Sequence, residues 1–141
     1  MGIATHLFPG PLAFGDSWGP PRKEHWSANE RWGLILSFEG GKTLALCEKT
    51  EDGQKEHWRR GYVDSVWPPH RAYVTNDCKY VVLRDVYHNL GYGKVIIVLG
   101  NAGKILGSYE LDDFLSEDEI LQARHTVSSL WWNQYAWFSF I

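Results

Sequence analysis

Six acids crowd one short stretch of the chain: Glu110, Asp112, Asp113, Glu117, Asp118 and Glu119. Such a cluster can dock a basic partner, as an immunity-type inhibitor docks a nuclease toxin, because opposite charge steers encounter and fixes register. The same acids also suit the first turn of a helix, where the dipole favours negative charge by about 0.3–1 kcal/mol each. The helical reading is preferred. The alternating oxygen ligands of a calcium loop are absent.

The other reactive side chains are dispersed. His6, His25, His57, His70, His88 and His125 show no ligand spacing with each other or with Cys47 and Cys78, so no metal site is assigned. Lys-Glu-His-Trp occurs twice, at 23–26 and 55–58, and each copy reads as a strand or arm segment with Trp inward and His outward. His125, Ser128, Ser129 and Asp112 supply the residue types of a hydrolase triad, but no nucleophile elbow surrounds either serine. Gly91-Tyr92-Gly93 lies between two strand-like runs, without the following helix that a phosphate loop needs. No catalytic residue and no cofactor is therefore assigned. Eight tryptophans in 141 residues offer a further chemistry, the stacking of a sugar or peptide on indole rings. Core packing explains most of them, which leaves Trp18, Trp26 and Tyr92 as a candidate ligand platform.

Composition narrows the partners. The net charge is −3, but residues 1–108 carry 13 basic against 11 acidic side chains and residues 109–141 carry one against six. No basic stripe runs along the chain, which argues against nucleic-acid binding. No apolar run approaches the roughly 20 residues of a membrane span. The N-terminus lacks the charged and apolar regions of a signal peptide.

The elements that must position these groups are mostly strands. Residues 1–26 are rich in breakers (Pro9-Gly10-Pro11, Gly15, Gly19-Pro20-Pro21) and read as an irregular arm. From Trp32 onward, runs of strand formers alternate with turn chemistry: 32–38, 43–48, 55–60, 70–75, 80–86, 95–99 and 105–110. Ser116 and Glu119 form a capping box ahead of one short helix near 117–124. The tail 130–141 reads as a strand that is apolar on both faces, so it either closes a sheet, is covered by a partner, or awaits a following hairpin. Finally, Ser27–Ile35 returns faintly as Thr75–Leu83, 48 residues later: a polar turn, a basic residue, an aromatic, then strand formers.

That echo carries a resemblance. Ala72-Tyr73-Val74-Thr75-Asn76-Asp77 leading into Lys79-Tyr80-Val81-Val82, then Val95–Leu99 and Gly103-Lys104-Ile105-Leu106, makes residues 71–109 resemble one blade of the YVTN/WD40-like β-propeller class. Over about 27–132 the chain is also similar to a group of uncharacterised bacterial proteins, often exported. The shared features are Trp58, Pro68-Pro69, Lys79–Val82, Gly91-Tyr92-Gly93 and Val127-Ser128-Ser129-Leu130-Trp131. The resemblance implies a bacterial, exported or periplasmic protein and supplies no catalytic residues. Four blades of roughly 40 residues exceed this length, so a closed propeller from one chain is not expected.

The sequence thus predicts a mainly β protein, with antiparallel blade-like meanders arranged as a partial propeller or sandwich and one short helix. An arm, 1–26, precedes a single domain, 27–141, of two units, 27–67 and 70–141. The expected function is a non-catalytic module binding a protein or small ligand. Its alternatives are the inhibitor acting through the acidic face and an aromatic carbohydrate binder. Self-association through strand 130–141 is a further expectation.

Overall fold

The computed structural model describes residues 19–87, 89–125 and 129–131. Period-two patterning and glycine-rich corners produce two antiparallel four-stranded meanders. The first is β1 (Glu24–Trp26), β2 (Trp32–Ser37), β3 (Thr43–Thr50) and β4 (Gly53–Gly61); the second is β5 (Pro69–Val74), β6 (Val81–Val86), β7 (Lys94–Leu99) and β8 (Ile105–Glu110). In each, the strands lie side by side in chain order. A short helix, α1 (Glu117–Gln122), follows, and then a small hairpin of β9 (Arg124–His125) and β10 (Leu130–Trp131).

Strand alternation decides what the sheets bury. Trp32, Leu34 and Leu36 of β2 with Leu44 and Leu46 of β3 pack on Ala72, Val74, Val81, Leu83, Ile97 and Leu99 of the second sheet, and Val63 and Val66 of the linker complete this core. Each fully buried aliphatic side chain contributes about 1.5–3 kcal/mol, so the two sheets are welded by a common apolar layer. A second cluster joins Val95 of β7 to Leu111, Leu115 and Ala123, seating α1 against the second sheet.

The two sheets are copies of one design. Glu24 pairs with Ile35 and Trp26 with Gly33; 48 positions on, Ala72 pairs with Leu83 and Val74 with Val81. The turns match bond for bond. Trp32 N donates to Ser27 Oγ at 3.1 Å, and Ser27 Oγ and Arg31 N both donate to Asn29 Oδ1. Tyr80 N likewise donates to Thr75 Oγ1 at 3.1 Å, and Thr75 Oγ1 and Lys79 N both donate to Asp77 Oδ1. Glu30 and Cys78, at the same place in each turn, adopt left-handed backbone with φ of 59° and 60°. The outer strands repeat as well. Leu46 faces Trp58 while Cys47 faces Glu56, leaving His57 as a bulge residue; Val98 faces Gly107 while Leu99 faces Ile105, leaving Leu106 as its counterpart.

The sheets correct several expectations. Glu24–Trp26, placed in the irregular arm 1–26, is the first strand of the first sheet. It is three residues long, too short to show a period of its own. Its orientation is also the reverse of that expected: His25 is 3% exposed, whereas the Trp26 ring lies over Gly33 on the opposite face. The ring fills the space that a Cβ on Gly33 would need, which would come within 2.6 Å of it. The sheets themselves span 24–61 and 69–110. The helix ends at Gln122 rather than 124, because Arg124 and His125 pair with Trp131 and Leu130. The remainder of the tail, 132–141, lies outside the described residues, as does the self-association expected of it. No helix among the described residues is long and apolar enough to cross a membrane.

Candidate functional site

Between the two sheets a cleft of about 560 Å³ opens. The first sheet contributes Leu46, His57 and Trp58; the second contributes Cys78, Lys79, Tyr80, Gly100, Asn101, Ala102 and Leu106. The bulges build this site. In an unbroken strand, neighbours such as His57 and Trp58 point to opposite faces, but an extra residue re-aims the side chain, and here both line the cleft. The far lip is the turn Asn101–Gly103, with Ala102 in left-handed backbone. It is held by Arg60 Nη1, which donates to Gly103 O at 2.8 Å, and by close packing of Gly103 on the Trp58 ring.

Charge at the first sheet's side is internally satisfied. Arg31 Nη2 reaches Glu48 Oε2 at 2.6 Å, and His57 Nε2 lies 2.9 Å from Glu48 Oε1. Hydrogen bonds from both partners hold the Glu48 carboxyl below its ordinary range. The His57 ring meets Trp32 edge-on at 4.9 Å, and the Arg31 guanidinium lies 5.3 Å from the same indole. On the second sheet's side, Lys79 has no ion-pair partner among the described residues. Burial, then Asp77 and Glu48, raise the Cys78 thiol above its ordinary value. It is therefore a neutral wall group rather than a thiolate nucleophile. Among the described residues no three His, Cys, Asp or Glu side chains converge as a metal set would. Cys47 is a free, buried thiol and Cys78 a free, half-buried one.

The acidic stretch occupies a different place. Glu110 and Asp113 reciprocally cap the turn Leu111–Asp113, with Glu110 N donating to Asp113 Oδ2 at 2.7 Å. Ser116 and Glu119 do the same for α1. Glu110 also pairs with Lys94 at 3.4 Å. Half of the six acids thus serve local backbone groups, while Asp112, Glu117 and Asp118 stand exposed beside them. Of the aromatic platform, Trp26 is on β1 with the Lys49 ammonium 4.4 Å from its ring, Tyr92 is on the β6–β7 loop of the other sheet, and Trp18 lies outside the described residues. His6, His88 and Ser128 lie outside them too, whereas Ser129 is buried and its Oγ accepts from Leu90 N at 3.0 Å.

None of the cleft residues was singled out as a site by sequence reasoning. The one available signal was the echo, which aligns Arg31 with Lys79 and Trp32 with Tyr80. No family model matches the chain, and neither a curated protein nor a solved structure matches it.

Proposed function

We propose that this chain is a non-catalytic binding module, that its two sheets are consecutive blades of a propeller-type array, and that its ligand seat is the cleft between them. The observation that carries the reading is the lining of that cleft. Leu46, Trp58, Tyr80 and Leu106 offer apolar and aromatic surface beside a few polar groups, His57, Lys79 and Asn101. Ligand sites have this composition because apolar walls supply affinity and sparse polar groups supply orientation. The repeated registers, turns and bulges support the blade relationship. A raised thiol and a histidine engaged with Glu48 are poor equipment for covalent chemistry. The acidic face is less suited as the principal docking surface, since three of its six carboxylates are engaged in capping boxes.

The test is a fragment and glycan panel followed by amide NMR on labelled protein. Shifts concentrated at 57–58, 78–80 and 100–106 are expected. Shifts confined to 110–119, or capture of a basic protein that depends on Asp112, Glu117 and Asp118, would replace this reading with the inhibitor. Turnover of any substrate that His57→Ala abolishes would overturn the non-catalytic assignment.

A further inference from the structure

The two copies of the design differ most at the cleft, and the difference specifies a ligand. In the first sheet the turn's basic residue, Arg31, is answered by Glu48, the position after Cys47, and the bulge residue His57 bonds to the same carboxylate. Carrying these positions onto the second sheet through its registers gives Lys79 for Arg31, Gly100 for Glu48 and Leu106 for His57. The backbone is kept and the acid is deleted. Leu106 lies over Gly100, where a Cβ would come within 2.6 Å of its side chain, much as His57 lies over Glu48. The aromatic position changes in parallel: Trp32 is 8% exposed, but Tyr80 is 46% and Leu106 53% exposed. The second copy therefore presents a cation with no carboxylate across from it at Gly100, beside apolar surface that is about half exposed.

Resting on the cleft as the ligand seat, we infer that the ligand is a small amphipathic carboxylate. Its carboxylate pairs with Lys79 in the role Glu48 plays for Arg31, and its flat apolar body lies between Tyr80, Leu106 and Trp58. The negative groups nearby form no direct ion pair with Lys79, although Asp77 feels its charge. Glu48 is held by Arg31 and His57, and Asp77 accepts from Thr75 Oγ1 and from the Lys79 backbone amide. A charge-assisted contact in a partly desolvated slot outweighs a neutral one, so charge on the ligand head is the discriminating variable.

The probes are indole-3-propionate and its neutral carboxamide, titrated into the whole chain and followed by calorimetry and amide NMR. The acid is expected to bind about tenfold or more tighter than the amide, with shifts at 57–58, 78–80 and 100–106. Lys79→Met is expected to erase that preference, and Lys49→Met, at an exposed lysine over Trp26, to leave it intact. A second variant, Gly100→Glu with Leu106→His, rebuilds the first sheet's arrangement and is expected to expel the acid. Equal binding of acid and amide at these same amides would overturn the carboxylate inference and leave the cleft as ligand seat. Absence of shifts there with either probe would overturn both.

Discussion

The first sheet closes its turn and bulge with an ion-pair network over a buried indole; the second leaves the same backbone open over a tyrosine and a leucine. The hydrogen bonds that shape the turns are identical in kind, yet the side chains projecting from them have opposite uses. A repeated strand design fixes where side chains can stand but not what they do there, so the informative positions are those at which the copies disagree. Lys79, Gly100 and Leu106 are such positions.

Four perturbations would break or sharpen this comparison. The largest effect is expected in the shared core. Leu34→Ala and Leu83→Ala should each cost about 2–5 kcal/mol in urea unfolding, with fluorescence and circular dichroism transitions coincident. If one variant instead produced two separated transitions, the sheets would be independent units rather than halves of one core.

Acid should act next, through a different strand position in each copy. Burial, reinforced by neighbouring cations, lowers both His25 and His70 from 6.5 to about 4. Above the unfolded value of 6.5 both states are neutral and stability is complete. As pH falls from there toward about 4, the unfolded chain takes up protons first, so stability is lost across that window and levels off below it. Tyr73 stands where the second sheet repeats His25, and the second sheet carries its own buried histidine, His70, at a different position of its first strand. His25→Gln is expected to flatten the slope between pH 6.5 and 4, and an unchanged slope would remove His25 from the account.

The turns should respond alike. Ser27→Ala and Thr75→Ala each delete an acceptor for the aromatic residue's amide and a donor to the Asx carbonyl or carboxylate, and each is expected to cost about 1–3 kcal/mol. Unequal costs measured by thermal unfolding would show that only one turn is needed to set register. The smallest effect belongs to Glu48→Gln. Arg31 is largely solvated, which screens its pair, so the loss of stability should be smaller than at either turn. Loss of a larger amount would mean that the network props the first sheet rather than merely capping it.

Much of the fold was legible because the chemistry that makes it is local. Asp52-Gly53, Gly40-Gly41 and Asn76-Asp77 mark corners by conformational preference, and the β7 run Val95–Leu99 announces a buried strand. The capping box at Ser116 and Glu119 was readable for the same reason. The bulges were not. Glu56-His57-Trp58 alternates like any strand, and the extra residue exists only relative to the partner across from it. The cleft was illegible for a related reason: its walls come from four separated stretches, at 46 and around 57, 79 and 101, that only the packing of the sheets brings together. His25 misled because its burial is set by the second sheet, whose Ala72 N donates to its Nδ1 at 3.1 Å.

The sheets are also stitched by polar bonds. Asn29 N and Nδ2 donate to Oδ1 and O of Asn76 at 2.9 and 3.3 Å, His25 accepts from Ala72, and Arg60 donates to Gly103. With fasteners at the turn end, at the inner strands and at the outer lip, the two sheets are latched at three places. Parting the sheets therefore means breaking all three latches together with the apolar layer they share.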